Sequence, residues 1–255
     1  KWGLIAPFSF VYKQRGSWLP WLYLYGASQT GKTTLGEVVL AFWGLGSQHV
    51  KSGANIDTVA RLGYVLSQST FPVLVNEPGS AIMKDEIIEV LKSAIESPIV
   101  RGKYVRGSYI EIPSLAPLVF TSNKVLPKDD ALLRRFIVLT FTMGDRIRED
   151  SAREFSAKVK PKLSKLQALG HFIAERLIEI EIDDWQGVAE RLLVEAYKSA
   201  GLEIPEWVSV RYTTTTTLYD DLREAIRVFL VERINNEYTL SLIHISEPTR
   251  LGMIS

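Results

Sequence analysis

The 255-residue chain contains no cysteine. Disulfides, thiolate metal sites and a cysteine nucleophile are excluded together. Its 3 histidines, His49, His171 and His244, are scattered and show no metal-ligand spacing. Charge of one sign is also missing: 30 Lys and Arg stand against 29 Asp and Glu, a formal net charge of +1. Any affinity for nucleic acid must then come from a local basic patch, because no global field supplies it. Long apolar runs are absent too. The aromatic opening, residues 2–21, is broken by Lys13, Gln14 and Arg15, so it reads neither as a signal peptide nor as a membrane anchor. Met, Asn and Gln are sparse, which fits a heat-adapted, intracellular source.

What remains is ordinary globular composition, 46% hydrophobic and 23% charged. That length and composition predict one large domain plus an appendage. Both ends read as incomplete. Lys1 rather than Met opens the chain, which predicts missing upstream sequence. Residues 240–250, Leu-Ser-Leu-Ile-His-Ile-Ser-Glu-Pro-Thr-Arg, resemble the in-frame translation of a transposase mosaic end joined to a sequencing adapter. Residues 240–255 are therefore read as a non-native tail.

Between the ends, apolar runs alternate with helical periodicity. Residues 19–25, 71–75, 115–121 and 136–141 read as buried strands. Residues 32–43 and 84–96 place their apolar side chains on one helical face, and a second helix, capped by Asn55 or Asp57, runs to 66. Residues 99–113 alternate around Gly102 and Gly107, as a β-hairpin does. Asp129 to Arg135 reads as a short helix. Strands separated by helices predict an α/β fold with a parallel sheet covered on both faces. Beyond Gly144 the chain turns charged and amphipathic, with helices expected over 151–182, 184–200 and 220–235.

The chemistry-bearing pattern starts at Gly26-Ala27-Ser28-Gln29-Thr30-Gly31-Lys32-Thr33, a full match to G-x-x-x-x-G-K-[ST]. A chance match in a chain this long arises about once in a hundred. A strand precedes it and a helix follows, as a phosphate-binding loop requires. Gly26 and Gly31 let the backbone curl so that its N–H groups face phosphates, and the helix start adds its positive dipole end. Lys32 is placed to neutralise β and γ oxygens. Thr33 can ligate Mg²⁺, with Thr34 next in the helix. The pattern thus calls for ATP and Mg²⁺.

The second run ends in Asn76-Glu77, at the carboxyl edge of the sheet. Glu77 is the expected base for an attacking water. Asn76 can accept hydrogen bonds from metal-bound waters but lacks the charge of an Asp. The third run ends at Asn123, which can orient water or reach a γ-phosphate. The hairpin carries Arg101, Lys103, Tyr104 and Arg106: cations for phosphates and a ring for stacking on a base.

In this order, the loop at 26–33, Glu77, the basic hairpin, Thr121-Ser122-Asn123 and Asp130-Ala-Leu-Leu-Arg-Arg-Phe136 resemble the AAA+ core of superfamily 3 helicases. The likeness extends to related primase-helicases of viruses and plasmids, particularly archaeal ones, and covers roughly residues 19–141. It implies an AAA+ P-loop ATPase and DNA helicase of replication, working in the cytoplasm of a host cell. Its implied partners are single-stranded DNA and further copies of the chain in a homo-oligomeric, hexameric ring, with a primase domain upstream and no membrane. In such proteins Asn123 matches the polar sensor, and Arg134 or Arg135 matches the arginine finger that completes a neighbour's site. The hairpin matches one that projects into the ring's channel. A nucleotide-sensing arginine in the helical lid is open among Arg148, Arg153 and Arg176. The expected layout is an N-terminal segment at 1–18, the ATPase core at 19–144, a helical module at 145–209, a linker and further helix at 210–239, and the tail. The competing reading is an AAA+ ATPase for DNA packaging, loading or protein remodelling, in which the hairpin charge is incidental.

Overall fold

The computed structural model describes residues 1–177 and 184–212, except for the side chains of Lys103 and Val105. The expected helix at 220–235 and the tail lie outside those residues. Five strands form one parallel sheet: β1 (Trp21–Gly26), β2 (Val50–Ser52), β3 (Val73–Asn76), β6 (Leu118–Ser122) and β7 (Phe136–Phe141). Their order across the sheet is β2-β3-β6-β1-β7. The short edge strand β2 had no apolar run to announce it. It exists because its backbone pairs with β3, Val50 lying opposite Leu74.

Alternation along the strands divides the core into two halves. Trp21 and Tyr23 of β1, with Val73, Val75, Phe120 and Phe136, point to one face. There they meet helices α4 (Val59–Ser67) and α5 (Asp85–Glu96). Leu22 and Leu24, with Leu74, Val119 and Ile137, point to the other face, against α3 (Lys32–Ala41). Helix α3 packs closely because Gly36 has no side chain; a Cβ there would lie 2.6 Å from Leu74 Cδ1.

The aromatic opening folds into α1 (Trp2–Ile5) and α2 (Ser9–Gln14). Trp2, Leu4 and Ile5 are buried in the α3-side core together with Leu192 and Leu193 of α9 (Trp185–Ser199). Lys13 does not remain at the surface. It is 4% exposed, and its ammonium donates to Ser114 O at 2.9 Å, Ser114 Oγ at 2.8 Å and Ala94 O. Burial lowers its pKa from the ordinary 10.5 to about 7.

One helix departs from expectation. Residues 151–177 are not continuous: α7 (Glu149–Glu154) passes into a π-turn over Phe155–Val159 and a 3₁₀ stretch over Lys160–Leu166 before α8 (Gln167–Leu177). Pro161 supplies the reason, since it lacks an N–H and its ring clashes with the preceding turn. Among the described residues, no helix is long and apolar enough to cross a membrane.

Candidate functional site

The site forms where three strand ends lie side by side. In the parallel sheet β6 sits between β1 and β3, with Tyr25 opposite Ser122 and Asn76 opposite Thr121. The ladder continues one residue further, Glu77 N–H donating to Thr121 O at 2.9 Å. The chain after β1, after β3 and after β6 therefore leaves the sheet at one edge.

After β1 the backbone curls through Ala27, Ser28, Gln29 and Thr30 into α3. Gly31 is left-handed, with φ at 81°, and serves as the N-cap. Gly26 has φ at 133°, and a Cβ there would fall 1.9 Å from Phe141 O. No side chain fits at Gly26, and at Gly31 one would be strained. Thr30 is buried and its Oγ1 donates to Ala27 O at 2.9 Å, bracing the curl from inside. Thr33 is exposed at the loop's mouth and Thr34 half-buried behind it.

Lys32 is 6% exposed. Its ammonium donates to Gly26 O at 2.9 Å, to Ala27 O, and to Asn123 Oδ1 at 3.0 Å. The structure thus joins Lys32 with Asn123 from a strand 91 residues later. Burial pushes the Lys32 pKa down from its ordinary value, and the nearby charge of Glu77 opposes that shift. Glu77 is exposed and sits at a φ of 49°. That left-handed conformation costs a side-chain-bearing residue about 1 kcal/mol or more, and such strain concentrates at working sites.

Asn76 links the second strand to the loop. Its Oδ1 accepts from Thr33 Oγ1 at 3.3 Å and from Thr121 Oγ1 at 2.7 Å. Thr33 and Asn76 offer side-chain oxygens side by side, the donor type a hard cation such as Mg²⁺ uses. With no carboxylate among those two, the pair fits an ion that keeps several waters and leans on phosphate oxygens. Among the described residues no group of three or more His, Cys, Asp or Glu could hold a metal by itself.

The arginines at the end of α6 (Asp130–Leu133) separate cleanly. Arg135 is used within the chain: Nη2 donates to Glu96 Oε2 at 2.7 Å and Nη1 to Ala131 O. Arg134 is exposed, and among the described residues its side chain has no hydrogen bond or ion pair.

The hairpin consists of β4 (Ile99–Val105) and β5 (Ser108–Pro113). Val105 faces Ser108 across a two-residue turn whose members, Arg106 and Gly107, have φ of 50° and 82°. Positive φ at both is the twist-matched hairpin turn. Tyr104 is 79% exposed beside the tip, its ring 5.2 Å from that of Tyr109. Gly102 makes room for Tyr109, whose hydroxyl would lie 1.8 Å from a Cβ there. Arg101 is not at the tip. It is half-buried at the root, near Gly63 of α4, with Nε enclosed. Lys103 lies in β4 opposite Ile110, and its side chain is outside the described set.

Sequence reading missed two contributors. Thr121 stood in the third motif without a role of its own, yet it holds Asn76; alternation shows which face a strand residue takes but not which hydroxyl meets which amide. Ile147 N–H donates to Gln29 O at 3.0 Å, so the segment after β7 straps the loop. Nothing local marks that contact.

Five parallel strands in this order, a glycine-lysine loop after β1 and polar strand ends beside it define an α/β P-loop NTPase fold. No protein-family model matches the chain, and no curated protein does. Among solved structures, the apo C-terminal region of NrS-1 is similar over 71% of this chain, at 17% identity and a TM-score of 0.39; the chain spans 40% of that structure's length. RuvB from Thermogota maritima, as a point mutant, is similar over 85% of this chain and 91% of its own, at 18% identity and a TM-score of 0.35.

Proposed function

We propose that the chain is an ATP-hydrolysing motor, of the superfamily 3 AAA+ helicase type, that moves along single-stranded DNA as a ring of identical subunits. The observation that carries this reading is the convergence of Lys32, Asn123 and Glu77 at one sheet edge. The same chain exposes an aromatic, basic hairpin tip between β3 and β6.

Each residue has a part that follows from its chemistry. Lys32 exchanges its two loop carbonyls for β and γ oxygens, and the loop's N–H groups with the α3 start bind the remaining charge. Asn123 stays beside Lys32 and orients either a γ oxygen or the attacking water. Glu77 accepts that water's proton while the water oxygen attacks the γ phosphorus and the bond to the β-phosphate oxygen breaks. Base catalysis of this kind contributes about 10²–10⁴-fold. Thr33 would hold Mg²⁺ through its hydroxyl and Asn76 through water; the bound ion neutralises charge on the β and γ oxygens. Arg134, with no side-chain hydrogen bond or ion pair among the described residues, reaches the neighbouring subunit's site, a contact worth about 10³–10⁵-fold in related reactions. Tyr104 stacks on a base while Arg106 and Lys103 hold phosphates. Arg101, at the root, supports the hairpin instead.

The direct test is ATP hydrolysis measured with and without single-stranded DNA. Wild type is expected to be stimulated, Lys32→Ala to lose nucleotide binding, and Glu77→Gln to bind ATP without turning it over. Hydrolysis that ignores DNA but responds to a protein would sink the helicase reading in favour of a remodelling or loading motor. Equal turnover in wild type and Glu77→Gln would remove the catalytic assignment.

A further inference from the structure

The backbone that carries Arg134 is held in place by groups that take no part in the chemistry. Helix α6 is only four residues long, Asp130–Leu133, too short to fix a side chain by its own hydrogen bonds. Helix α5 grips it at both ends. At the start, Asp129 caps α6 by accepting Leu132 N–H at 2.7 Å, and its other oxygen accepts Lys92 Nζ at 3.2 Å. At the finish, Arg135 bonds Glu96 at 2.7 Å. Lys92 and Glu96 stand one helical turn apart and so present the same face of α5. The cation of each pair is shielded, the Lys92 and Arg135 side chains being 18% and 19% exposed, while Asp129 and Glu96 are 29% and 40% exposed. Arg134 lies between the two grips, exposed, and one bond from the residue Glu96 holds.

Adjacent residues on a helix end share a peptide plane, so holding one restrains the backbone of the other. With Arg135 drawn back onto Glu96 and Ala131 O, the backbone at 134 is set and its side chain points outward. Removing Glu96 releases Arg135, the two guanidinium groups then compete for the helix-end carbonyls, and the outward placement is lost.

We propose that Glu96 is a positioning residue for the hydrolysis reaction of the adjacent subunit, acting through Arg135 to aim Arg134. This rests on the reading of Arg134 as a group that works across the subunit boundary. It predicts a defect located in the neighbour's site, while the subunit carrying the substitution keeps a competent site of its own.

Trans-complementation of full-length chains tests this. Glu96→Ala alone is expected to lower kcat for ATP at least about tenfold with KM within about twofold, since the substituted subunit still binds nucleotide. Mixing equal amounts with Glu77→Gln chains, which cannot hydrolyse but offer an intact Arg134, should restore activity. In randomly mixed rings half the subunits have a working site and half of their neighbours a working arginine, so about a quarter of wild-type turnover returns. Arg134→Ala mixed with Glu77→Gln is the reference and should recover to the same level. The exchanged pair, Glu96→Arg with Arg135→Glu, should regain more than half of wild-type kcat without mixing. If the reference mixture recovers and the Glu96→Ala mixture does not, Glu96 acts inside its own subunit and the proposal is overturned while Arg134 keeps its role. If neither mixture recovers, the arginine does not act across the boundary, and both ideas fall. Full activity of Glu96→Ala by itself also overturns the proposal.

Discussion

Replacing Lys13 by Met exposes an energetic cost set into the frame of the molecule. In the native chain the ammonium is buried and no carboxylate among the described residues pairs with it; two carbonyls and a hydroxyl are its acceptors. Burial lowers its pKa from 10.5 to about 7. The unfolded chain therefore binds more protons than the folded one between those values, so stability rises with pH across that window. At about 1.36 kcal/mol per pKa unit, and with the folded lysine half protonated at pH 7, the gain from pH 7 to pH 9 is about 2.3 kcal/mol. Met fills a similar volume without a proton to lose, so the variant lacks this slope. At pH 7 the relieved burial of charge offsets the lost bonds to Ala94 O and Ser114 O, and the two proteins should lie within about 2 kcal/mol. Ser114 Oγ still donates to Ala94 O at 2.6 Å. At pH 9 the variant should be the weaker by about 2 kcal/mol more than at pH 7. Urea unfolding of both chains at pH 7, 8 and 9 measures the difference directly. Parallel pH profiles would refute the reasoning.

Two further substitutions probe the site and the hairpin. Asn76→Asp keeps an oxygen facing Thr33 and Thr121 and adds charge next to the metal position, so half-maximal hydrolysis should need less Mg²⁺; a Mg²⁺ titration showing no change would mean that Asn76 is not part of the metal's surroundings. Tyr104→Ala removes a ring that is 79% exposed, so it should leave thermal stability nearly untouched while weakening single-stranded DNA binding by about 1–3 kcal/mol. Fluorescence anisotropy with labelled oligonucleotide checks it, and unaltered affinity would remove Tyr104 from the interface.

Local signals revealed much of this molecule before any coordinates. The phosphate loop was legible because its glycines answer a backbone requirement that few residues meet, and Gly26 and Gly31 take up those conformations. The parallel sheet was legible from short apolar runs, and the hairpin from alternation ending at Gly107. The break near Pro161 was visible in principle, but amphipathic spacing on both sides masked it. Other features lie beyond the range of any local pattern. The insertion of β6 between β1 and β3 brings Asn123 to Lys32, and strand order is a property of the whole packing. Arg134 and Arg135 are equivalent in sequence; the carboxylate of Glu96, one helix away, and the Ala131 carbonyl tell them apart. In sequence Lys13 reads only as a charge that interrupts the aromatic opening. It is buried because carbonyls from the end of α5 and from beyond β5 converge on it, and no residue near it in the chain carries that information.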